Sequence, residues 1–143
     1  MRGFGCLQIQ PTQVAAVPAT PSSVAQAHFA TEFTFEADCS DVHENLRAEA
    51  DFVLLEVRSP ALYVEGHVPW SINLPHGKSV QDKLDRWPET ALLVSYCASP
   101  HCHGSSRGAL RLAKLGPPLK IMAGGITGRT DEGFELATSG SAA

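Results

Sequence analysis

The sequence predicts an α/β domain built on a mainly parallel sheet. Three observations predict it. Two nearly unbroken apolar runs, Phe52 to Val57 and Ala91 to Tyr96, suit strands covered on both faces. Helical patterns fall between the strand candidates, which is what parallel pairing requires. The second run ends on Cys97, a loop rich in Gly, Pro, Ser and His follows, and an alanine/leucine helix pattern then begins. Right-handed crossovers would bring the C-terminal strand ends, where α/β sites form, to one side.

The elements follow in chain order. Ser22 or Ser23 can cap a short helix running through Phe29. Glu32 to Ala37 alternates Phe33 and Phe35 with polar residues, so a strand is expected there. Asp38 to Asp41 is a turn, and Ser40 or Asp41 can cap a helix reaching about Ala50, with Val42 and Leu46 on one face. After strand Phe52 to Val57, Ser59-Pro60 starts a short helix, with Pro60 in its first turn and Gly66 at its end. Ser71 to Leu74 is a short strand. Ser79 to Trp87 is a helix, because Val80, Leu84 and Trp87 recur at helical spacing and Pro88 stops it. Ala91 to Tyr96 is the next strand. Ser106 to Leu115 is a helix ended by Gly116, Leu119 to Met122 the last strand, Gly124-Gly125 a tight turn, and Thr127 to Gly133 a final short helix.

At 143 residues the chain has the length of one domain. Apolar residues make up 43% and charged residues 18%, a globular composition. The net charge is −4 and no Lys/Arg cluster occurs, which argues against nucleic acid or an anionic membrane as partner. No apolar run approaches the roughly 18 residues of a membrane span. Residues 1–22 are expected to be a flexible leader, because Gln and Pro interrupt any signal-like stretch. Residues 23–143 are then the domain. The four cysteines, Cys6, Cys39, Cys97 and Cys102, are too few for a disulfide scaffold, so reduced thiols and a cytoplasmic setting are expected.

The segment around Cys97 carries the chemistry. A buried strand delivers a thiol to a loop that closes on a helix N-terminus, where amide N–H groups and the helix dipole favour a sulfur anion. From Ala98 to Ser106 there is no Asp or Glu. Arg107, His101 and His103 add possible positive charge, and a lowered Cys97 pKa is expected. The plainer alternative is that Cys97 is a small buried hydrophobe at a strand end. Cys102 either resolves or pairs with Cys97, or has no special role. His101 and His103 either tune the charge of the loop or are solvated. A zinc site is disfavoured, since the neighbours His101, Cys102 and His103 point different ways. Cysteine phosphatase chemistry is disfavoured too: it needs C-x5-R, whereas Cys97 precedes Arg107 by ten positions and Cys102 by five.

Five pieces, in this order, make the chain resemble a rhodanese-homology (sulfurtransferase) domain. Glu56-Val57-Arg58-Ser59-Pro60 is similar to a D-x-R-s/t-p segment, and Gly66-His67-Val68-Pro69 to GHIPG. Ser71-Ile72-Asn73-Leu74-Pro75 follows, then Tyr96-Cys97, then Gly124-Gly125 with Asp131-Glu132-Gly133-Phe134. The match spans roughly residues 33–136. The loop Cys97-Ala98-Ser99-Pro100-His101-Cys102-His103-Gly104 resembles the C-x-x-P-x-C-x-G variant, whose first cysteine ends the strand. Three residues depart from the pattern: Glu56 for Asp, Trp70 for Gly, and Arg129 where a Trp often packs.

The resemblance implies a rhodanese-like fold, a sheet of about five parallel strands flanked by helices, with Cys97 carrying a persulfide. Such an anion needs several donors. The candidate cradle is Ala98, Ser99, His101, Cys102, His103, Gly104, Ser105, Ser106 and Arg107. Arg58 is expected to pair with an acid and shape the loop bed, and His67 to bond backbone. The expected activity is sulfurtransferase, of the thiosulfate sulfurtransferase kind. Sulfane sulfur would move from thiosulfate, a persulfide or a mercaptan to Cys97, and on to cyanide, a thiol or an acceptor protein. No metal or organic cofactor is expected. The second reading is a non-catalytic thiol redox sensor or persulfide-binding module that uses Cys97 and Cys102.

Overall fold

The computed structural model describes residues 10–75 and 80–138. Cys6 and the expected helix start at Ser79 lie outside them. Its contacts divide the chain into two units, Met1–Thr31 and Glu32–Ala143. The elements are α1 (Ser22–Phe35), β1 (Glu36–Ala37), α2 (Cys39–Asn45), β2 (Phe52–Glu56), α3 (Pro60–Glu65), β3 (Ile72–Asn73), α4 (Val80–Leu84), β4 (Leu92–Tyr96), α5 (Gly104–Ala113), β5 (Leu119–Met122) and α6 (Gly125–Asp131). The strands form one five-stranded sheet in the order β1-β5-β4-β2-β3, and every pairing is parallel. All strand C-termini therefore open on the same edge.

The apolar runs split between two faces of the sheet. Along β2 and β4, Phe52, Leu54, Leu92, Val94 and Tyr96 pack on one side with Cys39, Val42, Val68, Met122 and Ile126. On the other, Val53, Leu55 and Leu93 pack with Leu74, Leu112, Val80, Leu84 and Trp87. A strand covered on both faces needs no polar alternation, which is why these two runs read as continuous. The spacing of Val80, Leu84 and Trp87 is also accounted for, because all three meet this second cluster.

Several boundaries differ from expectation. The strand expected over Glu32 to Ala37 shrinks to Glu36–Ala37, and the helix expected to end at Phe29 continues to Phe35. Phe33 and Phe35 are 74% and 63% exposed, so their alternation buries no face. A period of two over so short a run is equally readable on a helix, and this one propagates from a helix start at Pro21, whose carbonyl accepts from Val24 and Ala25. Asp38, not Ser40 or Asp41, caps α2, accepting from the Asp41 amide at 2.7 Å. That helix stops at Asn45 rather than near Ala50. Ser59 caps α3, accepting from the Leu62 amide, and Pro60 is in its first turn, as expected. Helix α5 begins two residues early, at Gly104, and α6 two residues early, at Gly125.

Candidate active site

Strand β4 ends at Tyr96, and the next residue, Cys97, sits at the sheet edge where the other C-termini open. Alternation sends the Tyr96 and Cys97 side chains to opposite faces. Cys97 is 8% exposed. It lines a pocket of about 290 Å³ with Ser99, Pro100, Cys102, His103, Ser105 and Ser106 from the loop and the start of α5. The opposite wall comes from Glu36 of β1 and from Ile121 to Gly125. The loop brings no acid to the sulfur, but Glu36 brings an exposed carboxylate to the rim. Loop composition carries no sign of this, because Glu36 reaches the site only through the β1–β5 pairing.

The loop is fixed from below by α6. The Ile126 amide donates to the Cys97 carbonyl at 3.1 Å, and the Thr127 amide to the Ala98 carbonyl at 2.9 Å. This approach needs Gly125, whose φ is +61°; a Cβ there would lie 2.4 Å from the Cys97 carbonyl oxygen. The Gly124-Gly125 turn is thus part of the site. Beneath it lies Cys39, buried, its thiol donating to the Ala123 carbonyl at 3.3 Å. Burial pushes that thiol up.

Two free thiols meet in the pocket. The Sγ atoms of Cys97 and Cys102 are 3.2 Å apart. The Gly104 amide donates to the Cys102 sulfur at 3.3 Å. Gly104 has no side chain to obstruct them: a Cβ would stand 2.5 Å from the Cys97 sulfur and 3.1 Å from that of Cys102. The expected lowering of the Cys97 pKa is not found in the resting thiol. Burial, then the hydrogen bond with Cys102, push Cys97 up, while the Ala98 amide and the Arg58 charge pull the other way. Cys102 is instead held low, first by its hydrogen bond with Cys97 and then by the Gly104 amide, with the Arg107 charge assisting. Of the two thiols, Cys102, the more exposed, is therefore the one that gives up its proton more readily. The spacing of C-x4-C is visible in the sequence, but the division of the proton depends on which sulfur the amides face.

The other predicted residues fall into place around this pair. The Ala98 amide and the Gly104 amide act on the sulfurs, and Ser99, His103, Ser105 and Ser106 line the pocket. His101 is exposed, its amide donating to Ser99 Oγ. Arg107 is exposed on α5 and acts on Cys102 through its charge. Arg58 does pair with an acid: its Nε donates to Glu56, and its Nη2 to the Gly66 carbonyl at 2.5 Å. His67 does bond backbone, with Nδ1 at 2.8 Å from the Tyr63 carbonyl and its ring stacked on Tyr63. Among the described residues no cluster of three or more His, Cys, Asp or Glu side chains is arranged to hold a metal ion.

The departures from the family pattern have structural accounts. Glu56 is fully buried on the face opposite Cys97 and accepts from the Tyr96 hydroxyl at 3.1 Å. That hydroxyl also accepts from the Val68 amide at 3.0 Å and meets Ser71 Oγ at 2.9 Å. Burial pushes the Glu56 carboxyl up, and the bonds from Arg58 and Tyr96 oppose it. Trp70 holds a φ of +67°, a left-handed backbone that glycine adopts without cost. Arg129 is 2% exposed; it donates to the Glu135 carbonyl at 3.0 Å and lies over the Phe134 ring. It fills the position of the expected Trp by burying a guanidinium. Tyr96 and Ser71 escape a sequence-derived site because a hydroxyl on a buried strand has no local signature.

A five-stranded parallel sheet that presents a strand-end cysteine at the wall of a pocket defines the class, an α/β domain with a thiol pair at the C-terminal edge of its sheet. The family model described as rhodanese-like domain matches residues 38–132, and the chain belongs to that family. A solved protein from Bacillus halodurans is similar at 26% identity and TM-score 0.77, with 83% of this chain and 88% of that one covered. A rhodanese-related protein from Thermoplasma volcanium is similar at 23% identity and TM-score 0.59, with 72% of this chain and 97% of that one covered. A thiosulfate sulfurtransferase from Pseudomonas aeruginosa is similar at 21% identity and TM-score 0.64; the match covers 84% of this chain but 23% of that longer one. At these identities the last two speak to the fold alone. Among curated proteins none matches this chain in sequence. No helix among the described residues is long and apolar enough to cross a membrane.

Proposed function

We propose that this domain is a sulfurtransferase that moves sulfane sulfur through a Cys97 persulfide. The observation that carries the reading is the Cys97 sulfur at the wall of an open pocket, in a loop free of carboxylates, with the Ala98 amide acting on it and the Gly104 amide on the neighbouring Cys102 sulfur. The family supports the same chemistry. Thiosulfate is the natural probe for the donor, being a small anion with a transferable outer sulfur.

Transfer starts from the thiol pair ionised once and begins with a proton. That of Cys97 passes to Cys102 across the 3.2 Å contact. The Cys97 sulfur then attacks the outer sulfur of thiosulfate, and the sulfur–sulfur bond of the donor breaks to release sulfite. The product is Cys97–S–S⁻, and its charge replaces the one the thiol pair held before. The Ala98 and Gly104 amides are placed to stabilise that anion. Cyanide, a thiol or an acceptor protein then removes the outer sulfur. No cofactor enters this sequence.

Intact-mass measurement after incubation with thiosulfate tests the reading. The full chain is expected to release sulfite and to show the one-sulfur adduct at early times, and Cys97→Ala to do neither. Equal uptake by Cys97→Ala, or no sulfite from the wild type, would overturn it.

A further inference from the structure

Cys102 stands closer to Cys97 than sulfur transfer to an outside acceptor requires. We infer that Cys102 resolves the Cys97 persulfide within the same chain, releasing the transferred sulfur as sulfide and leaving a Cys97–Cys102 disulfide. This resolution rests on the persulfide reading and goes beyond it, because it gives the domain a second activity: reductive release of hydrogen sulfide, with a dithiol as the final reductant.

The geometry favours this route. The two Sγ atoms are 3.2 Å apart, and a disulfide needs about 2.0 Å, so a closure of about 1 Å makes the bond. Gly104 leaves the space between the sulfurs and the helix free. The loop from Ser99 to His101 lies outside any helix or strand and can take up the movement, whereas the Cys97 and Ala98 carbonyls are pinned by α6. An attacking group must also be able to give up its proton, and Cys102 is the thiol of the pair that the Gly104 amide stabilises as an anion. An outside thiol would have to enter through the pocket mouth, while Cys102 is already in contact.

The step balances. After sulfur uptake the pair is Cys97–S–S⁻ beside HS–Cys102, because the proton of Cys97 was left on Cys102. The Cys102 sulfur attacks the inner Cys97 sulfur and forms the new S–S bond. The bond to the outer sulfur breaks, and that atom departs with the proton as HS⁻. Two thiol sulfurs are oxidised to a disulfide, and one sulfane sulfur is reduced to sulfide. The charge is −1 on both sides. Attack on a disulfide-like bond with the better leaving group expelled is ordinary thiol exchange. A small dithiol, or a protein carrying one, reduces the disulfide and resets the pair.

The test uses the full chain, reduced, then freed of reductant and kept without oxygen, with thiosulfate as sole sulfur source. Sulfite reports loading and sulfide reports resolution. Wild type is expected to release sulfide and sulfite in equal amounts and to end two hydrogens lighter, with peptide mapping placing the cross-link between Cys97 and Cys102. Cys102→Ser is expected to stop at the one-sulfur adduct, its sulfide-to-sulfite ratio falling to the blank until dithiothreitol is added. Wild type that releases sulfite without sulfide and keeps the adduct overturns resolution and leaves sulfur transfer standing. Wild type that releases no sulfite overturns both. The wild-type ratio and the mapped cross-link decide the matter even if Cys102→Ser fails to fold.

Discussion

Two thiols in hydrogen-bond contact behave differently from two isolated ones. With Cys97 buried and Cys102 bonded by the Gly104 amide, Cys102 is the thiol of the pair that ionises first. Iodoacetamide should therefore alkylate Cys102 first. The sign follows from the direction of the shift: a thiol held low is already anionic below the ordinary value of about 8.5, so the Cys102 rate should level off at lower pH than a free thiol's. Peptide mapping of the labelled sites over roughly pH 6 to 9, a range that includes that ordinary value, checks it, and prior labelling of Cys97 would contradict it. A second residue-scale effect comes from Glu36. Its exposed carboxylate on the rim repels an anionic donor. Glu36→Gln should lower the KM for thiosulfate about two- to fourfold and leave kcat largely unchanged, with the gain fading as salt is added.

Elements matter here through their ends. Helix α6 begins where β5 stops, and its first amides hold the Cys97 and Ala98 carbonyls, so the turn between β5 and α6 sets the height of the loop. Two glycines with positive φ near this helix make a controlled comparison. A Cβ on Gly133 (φ +82°) would meet nothing within 4 Å, so Gly133→Ala encounters only backbone strain, about 1–2 kcal/mol. Gly125 (φ +61°) has the same strain plus a Cβ pressed to 2.4 Å against backbone that cannot rotate away. Gly125→Ala should cost clearly more, about 3–5 kcal/mol, and should also slow sulfur uptake because the loop must move. Denaturant midpoints of the two variants decide this; equal midpoints would contradict it.

At the scale of the whole molecule, a buried polar network joins parts distant in sequence. Tyr96 ties β4 to Glu56 on β2 and to Val68 and Ser71 in the connection between α3 and β3. Asn73 adds to the joint, donating to the Glu56 and Arg58 carbonyls at 3.2 and 2.9 Å. In a buried network each partner left alone costs more than the bond contributed. Tyr96→Phe orphans the Val68 amide and one Glu56 oxygen at once, and should cost about 2–4 kcal/mol by chemical denaturation. The hydroxyl lies on the face opposite Cys97, so the sulfur adduct should still form in the fraction that remains folded.

The sequence by itself determined the sheet and the place of the strand-end thiol. Continuous apolar runs such as Phe52 to Val57 need cover on both faces, and a strand that runs into Cys97, a glycine- and serine-rich loop and a helix places that thiol at the C-terminal edge of a parallel sheet. Those signals are local, carried by neighbours in the chain. Only the tertiary structure decided which thiol ionises more readily, that Glu36 faces the pocket, that Arg129 fills a buried position, and that Phe33 and Phe35 lie on an exposed helix instead of a strand. Burial, hydrogen-bond partners and proton sharing depend on distances between segments far apart in sequence, and periodicity along the chain does not encode them.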